Sequence, residues 1–243
     1  MAISSLRNFV KYQIRQFRLR REQLLTSVAC TLTKPGGADR GWMVCSDVIP
    51  RGGIAYSFGV GANTSWDVAM IEQFGVEVHA FDPTPESIAW VARQQLPEKF
   101  HFHDYGIAAF DGTLNFYPPK KPGRMHFSQD RQKYNRPDQV TIPGRVLRLS
   151  SIAQQLGHSR IDVLKMDIEG TEFDCLPDLL QSGIEIGQLL VEVHYHHPTR
   201  TFDEGMRLVR QIEAAGFVCF DISPRGLEFG FVNRRWISER LAA

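Results

Sequence analysis

The 243-residue chain is long enough for one sizeable α/β core with an appendage and short for two separate cores. Its 43% hydrophobic and 23% charged residues are those of a soluble globular protein and exclude wholesale disorder. The net charge of +1 hides a division: Arg7, Lys11, Arg15, Arg18, Arg20 and Arg21 occupy the first 21 residues with no acid, so 22 basic residues face 27 acids over the rest. A body near about −5 argues against nucleic acid as the main partner.

In chain order, Leu6, Val10, Ile14 and Phe17 recur at helical spacing while Arg7, Lys11, Arg15 and Arg18 fall largely on another stripe, which predicts a basic amphipathic helix. Such a helix docks on its own domain or a second subunit, or lies on an anionic membrane surface. Both a homo-oligomer and a peripheral membrane contact through residues 1–25 therefore stay open. Residues 34–53, punctuated by Lys34-Pro-Gly-Gly and Arg51-Gly-Gly, read as a lead-in segment with a short strand at Trp42–Cys45. Strands then alternate with helices: Ile54–Phe58, a helix at Ser65–Phe74, Val76–Phe81, a helix at Pro85–Gln95, and Phe100–Tyr105. The pattern breaks over about 112–149, an insertion with strands at Thr113–Tyr117 and Val140–Leu147 around a mobile loop. It resumes with a helix at Ser150–Leu156, strand Ile161–Met166, helix Thr171–Gln181, strand Gln188–Val193 and helix Phe202–Ala215. A hairpin of Phe217–Ile222 and Leu227–Val232 closes the chain. This alternation predicts an α/β fold with parallel strands and crossover helices, divided into a helical extension at 1–33 and one domain at 34–243.

Four dispersed cysteines, Cys30, Cys45, Cys175 and Cys219, form no CxxC pair and read as reduced thiols. With no spanning apolar run and no convincing signal peptide, the chain is expected in the cytoplasm.

Tyr56-Ser-Phe-Gly-Val-Gly-Ala-Asn-Thr is a strand running into a glycine turn and a helix. Gly59 and Gly61 let the backbone come close to a ligand at the carboxyl end of the first strand, and Asp82 ends the second strand, where an acid can accept hydrogen bonds from ribose hydroxyls. A dinucleotide fingerprint wants a third glycine at position 64; Thr64 there favours S-adenosylmethionine over NAD.

Ser57-Phe-Gly-Val-Gly, Glu77-Val-His-Ala-Phe-Asp-Pro, above all Asp162-Val-Leu-Lys-Met-Asp-Ile-Glu-Gly-Thr-Glu, and Val191-Glu-Val-His resemble the FkbM family of methyltransferases over residues 42–232. The resemblance implies a Rossmann-like, class I fold whose seven-stranded sheet has an antiparallel last strand, with helices on both faces. It implies S-adenosylmethionine as cofactor and O-methylation of a hydroxyl on a sugar, glycan or secondary metabolite. Carried to matching positions, it sets Ser57, Gly59 and Gly61 at the methionine part, Asp82 at the ribose, and Asp104 and Tyr105 near the adenine, with Gly106 and Ile107 as alternatives. The basic N-terminal helix lies outside it.

Methyl transfer from a sulfonium needs the acceptor at near-attack distance and a base for its proton. Asp167, Glu169, Glu192 and His194 follow two strand ends that neighbour each other in this fold. His194 is the expected general base, because an imidazole titrates near neutrality, with Asp167 or Glu192 orienting it. The alternative is that Asp167 and Glu169 only brace the turn. The same side chains suit a divalent cation, Mg or Mn, although none is assigned. His196 and His197 are expected over the substrate or in solvent, and His79 as a structural histidine. Two other functions stay open: a non-catalytic Rossmann-like scaffold docking through its basic helix, and an NAD-dependent oxidoreductase.

Overall fold

In the computed structural model, residues 2–25, 28–37, 41–119, 127–129 and 140–240 are described. Side chains that alternate in size build its central sheet. In β3 (Ile54–Phe58), Tyr56 and Phe58 face one side while Ala55 faces the other, as the two-residue repeat of a strand requires. Both faces are buried, the pattern expected of parallel strands covered by helices.

The chain first lays down β4 (Glu77–Phe81) and β5 (Phe100–His103) to one side of β3. It then returns to add β9 (Arg160–Met166) and β10 (Glu185–Glu192) on the other. The strands β11 (Phe217–Ile222) and β12 (Glu228–Asn233) complete the order β11-β12-β10-β9-β3-β4-β5. Only β12 runs antiparallel to its neighbours. The direction of strand addition reverses between β3 and β9, and open α/β sheets form their ligand crevice beyond the carboxyl ends at such a point. The helix α2 (Ser65–Phe74) supplies Trp66 and Met70 to one face, and α3 (Pro85–Val91) supplies Val91. On the opposite face lie α4 (Leu149–Leu156), α5 (Glu172–Leu179) and α6 (Phe202–Ala214). The Rossmann-like architecture is the one expected.

Departures have local causes. The helix expected to reach Gln95 ends at Val91, and the chain unwinds ahead of Pro97. The insertion forms a small sheet in which β8 (Ile142–Leu147) pairs antiparallel with β7 (Gly112–Phe116) and parallel with β6 (Gly106–Ile107). Residues 120–126 and 130–139 of the expected mobile loop lie outside the described residues. Beyond the closing hairpin the sequence reading missed a final helix, α7 (Arg234–Arg240), whose Trp236 ring occupies the space over Gly187.

The N-terminal helix α1 (Ala2–Glu22) docks on its own domain, one of the contacts the sequence left open, and does so without Val10, Ile14 and Phe17 of its apolar stripe. Phe17 is 63% exposed, and Val10 and Ile14 also face out. The contact is made instead by Leu19, by Arg15 and Gln16 donating to the carbonyls of Arg225 and Pro224, and by Arg18 pairing with Asp203 while covering the Phe202 ring. The carbonyls of Pro224 and Arg225 and an acid on α6 select the basic face. Among the described residues no helix is long and apolar enough to cross a membrane.

The cysteine reading is corrected. The two-stranded ladder of β1 (Leu32–Thr33) and β2 (Val44–Cys45) brings Cys30 to Cys45, and the two form a disulfide with Cα atoms 5.7 Å apart. Cys175 and Cys219 remain free and buried. The bridge closes a loop with a sequence separation of 15 residues, so its reduction should destabilise the fold by about 3 kcal/mol. Denaturant melts with and without reductant check this; identical midpoints, with two further free thiols by titration, would show the pair unbridged.

Candidate active site

A cavity of about 1670 Å³ opens beyond the carboxyl ends of the central strands. Its floor begins at the glycine turn after β3. Gly59 takes φ +85°, and a Cβ there would lie 1.8 Å from the Asp167 carbonyl oxygen, so only glycine lets the β3 and β9 ends approach this closely. Gly61 donates its N–H to Asp82 Oδ2 at 2.9 Å, while Asp82 Oδ1 accepts from the Thr84 N–H at 3.0 Å and hydroxyl at 2.6 Å. The expected partnership of glycine turn and strand-end acid is therefore present as a direct bond. Asp82 also lines the cavity.

Three cofactor-site expectations need correction. Ser57 is fully buried and does not reach the cavity; its hydroxyl lies 3.5 Å from Lys165 Nζ, and Lys165 and Asp67 line the cavity in its place. Asp104 is exposed, and Tyr105 turns its ring away to stack against Phe81 under Arg145. The alternation of side chains across the strand end places Gly106 and Ile107 on the cavity wall instead. Asp67 is buried with Oδ1 lacking a hydrogen-bond partner among the described residues. Burial pushes its carboxyl up, against the pull of Lys165.

The four expected catalytic residues do converge. His194 Nε2 lies 3.4 Å from Glu169 Oε2 and 3.8 Å from both Asp167 Oδ1 and Glu192 Oε1. Asp167 and Glu169 lie in the turn after β9, and Glu169 adopts φ +54°, an uncommon backbone for a non-glycine residue that marks functional turns. Arg225, carried by the turn that α1 braces, pairs with Glu192 at 2.6 Å. On the other side of the ring, Glu172 Oε1 accepts from the His194 backbone N–H at 2.6 Å and lies 3.0 Å from Nδ1. Its Oε2 accepts from the Gly170 N–H at 2.8 Å.

These carboxylates alter the expected role of His194. Burial opposes a charged imidazole, but Glu172, Asp167 and Glu192 outweigh it and hold the pKa up at about 10. A ring that keeps its proton at neutral pH is no acceptor for another, so the near-neutral titration behind the general-base expectation does not hold. Burial and the Asp167 charge push Glu192 up to about 8, and burial raises Asp167. His194 pulls Glu172 down although burial pushes it up.

Lys165, Asp67, Glu172 and His197 had no assigned role in the sequence. Lys165 and Glu172 lie inside the quoted family motif but on alternating or helical positions that look structural. His197, expected over the substrate or in solvent, is buried beside Glu169, their side chains 3.6 Å apart. His79 is structural as expected: its Nδ1 lies 3.1 Å from His103 Nε2, and its ring contacts Tyr56 and His158.

A family model described as the methyltransferase FkbM domain matches residues 59–219. The chain belongs to the FkbM methyltransferase family. The rat protein described as probable methyltransferase-like protein 24 is 31% identical over 193 residues, which is 71% of this chain and 46% of that protein. The human protein of the same description is 31% identical over 146 residues, 59% of this chain and 33% of that protein. The chain thus spans less than half the length of these curated relatives. Among solved structures, Aeropyrum pernix fibrillarin with natively bound S-adenosyl-L-methionine overlaps 85% of this chain and 83% of its own, with 8% identity and a TM-score of 0.42.

Burial, followed by His158 and its other histidine neighbours, holds the His79 pKa down at about 3. The unfolded chain therefore binds this proton first, so the contribution is fully present above about pH 6.5 and is lost as pH falls toward 3. Urea melts at pH 7.5 and 5 should show the loss, and His79→Phe should flatten the slope. An unchanged slope in that variant would assign the effect to other groups.

Proposed function

We propose that this FkbM-family chain is an S-adenosylmethionine-dependent methyltransferase acting on a hydroxyl oxygen of a small molecule or glycan. The observation that carries the reading is the Gly61–Asp82 bond of 2.9 Å at one end of a cavity whose other end holds the Asp167, Glu169, Glu192 and His194 cluster. When bound, the cofactor supplies an electrophilic methyl group on a sulfonium and departs as a neutral thioether.

The residues present fit that group. Asp82 Oδ2 accepts only the Gly61 N–H and so keeps a lone pair for a ribose hydroxyl, and the turn without side chains at Gly59 and Gly61 leaves room for the chain that links ribose to sulfur. The unsatisfied Asp67 Oδ1 suits an α-ammonium, and Lys165 an α-carboxylate. Gly106 and Ile107 offer backbone and an apolar wall to the adenine. Asp167 is the most open carboxylate of the cluster, with a third of its side chain exposed, so an acceptor hydroxyl can reach it. Asp167 would then take up the hydroxyl proton while the bound cofactor supplied its methyl group to the oxygen. Arg225 and Glu172 fix the surrounding groups and limit the reorganisation needed in the transition state.

Lys34 and Trp42 of the lead-in segment, Phe116 and Phe127 of the insertion, and Pro198 after His194 also line the cavity. These irregular segments suit selection of the acceptor. Two observations weigh against the other functions. Thr64 is buried at the cap of α2, where a pyrophosphate needs close backbone approach, which disfavours a dinucleotide. Several carboxylates crowded around one buried imidazole are costly to a scaffold that does no chemistry. The disulfide supports an oxidising compartment over the cytoplasm.

Asp82→Ala should weaken S-adenosylmethionine binding in calorimetry with the fold retained by circular dichroism. Asp167→Asn should leave that affinity nearly unaltered and slow turnover by roughly two to four orders of magnitude. Near wild-type turnover in Asp167→Asn, with chemistry rate-limiting, would move the proton acceptor elsewhere.

A further inference from the structure

We propose that the inner end of this cavity is a binding site for one divalent transition cation, held by Glu169, His194 and His197. Their ligand atoms all lie within 4.8 Å of one another, with Glu169 Oε2 at 3.4 Å from His194 Nε2 and 3.6 Å from His197 Nε2. Ligands at about 2.1 Å from a tetrahedral ion sit roughly 3.4 Å apart, so both spacings from Glu169 match that geometry.

Two further observations point to a ligand there. His197 is only 5% exposed, yet neither ring nitrogen has a hydrogen-bond partner among the described residues. A buried imidazole left without a partner is costly, and a cation at Nε2 removes that cost. The neighbouring Gly170, at φ +104°, makes room for the ring, since a Cβ there would lie 3.0 Å from His197 Nδ1. The second observation is the completely buried Glu172 against His194 Nδ1. A carboxylate accepting from Nδ1–H leaves Nε2 as the nitrogen that exchanges its proton for a cation, and it is the outer partner that metal-bound histidines ordinarily have.

Asp167 Oδ1 and Glu192 Oε1, each 3.8 Å from the same Nε2, supply further negative charge or accept from a bound hydroxyl. Two imidazoles with carboxylates suit manganese or zinc better than magnesium or calcium, which take oxygen ligands. The sequence assigned no metal site and left magnesium or manganese only as a possibility for Asp167, Glu169, Glu192 and His194. In the catalytic reading above, on which this role rests, the cation acidifies the acceptor hydroxyl, whose proton then goes to Asp167.

The site is tested on chelator-treated full chain by titration with Mn²⁺, Zn²⁺ and Mg²⁺, read by calorimetry and by elemental analysis after desalting. The expected result is about one Mn²⁺ or Zn²⁺ per chain, with affinity at least roughly tenfold weaker in His197→Ala and in Glu169→Gln. Magnesium should bind far more weakly. No retained ion, affinity unchanged in both variants, or preference for Mg²⁺ would overturn the proposal. S-adenosylmethionine titration of the same samples separates the two readings. Cofactor binding without a cation would refute only the cation site, whereas cation binding without cofactor would refute the methyltransferase reading.

Discussion

The structure turns on a contact that no side chain could share. The Asp167 carbonyl presses against the α-carbon of Gly59 so closely that any Cβ would overlap it. This approach joins the turn after β3, which lines the cavity, to the turn after β9, which carries Asp167 and Glu169. The backbone bond from Asp167 N–H to the Phe58 carbonyl at 3.0 Å locks the two turns together. The positions of the Gly59–Gly61 turn and of Asp167 and Glu169 are therefore set by one stretch of backbone, and displacement of either turn would be felt by the other.

Around that contact the molecule concentrates negative charge. Asp167, Glu169, Glu172 and Glu192 share one buried imidazole, with Arg225 as an outer counterion. In a low-dielectric cavity such a group needs a positive charge at its centre, whether a proton, a cation or the developing charge of a reacting species. Arg225 ties this demand to distant parts of the fold, because its backbone carbonyl anchors α1 through Arg15. The helix lies outside the family resemblance yet braces the turn that neutralises Glu192.

Much of this was legible in the sequence because it depends on short-range pattern. Alternating apolar runs gave the order of strands and helices, and the spacing from Gly59 to Asp82 located a bond that the structure shows directly. The Lys165-Met-Asp-Ile-Glu run placed Asp167 and Glu169 where they stand. The rest depended on pairings that chain order does not encode. Ser57 was given a face from the motif, but burial behind Lys165 decided it. Tyr105 followed from strand alternation only once the strand was known to end at His103. Glu172 and His197 matter because α5 and the loop after β10 meet the same ring. The Cys30–Cys45 bridge depended on a two-residue ladder too short to detect. The face of α1 that docks could not be read, because hydrophobic periodicity takes no account of bare carbonyls awaiting donors.

The central claim is that one cavity holds the nucleoside at Asp82 and presents the departing methyl group to the carboxylate and imidazole cluster. A crystal structure with S-adenosylhomocysteine tests it most directly. The account predicts a ribose hydroxyl within hydrogen-bond distance of Asp82 Oδ2, the amino-acid end between Asp67 and Lys165, and the thioether sulfur turned toward Asp167 and His194. A ribose remote from Asp82, or a sulfur facing away from that cluster, would contradict it.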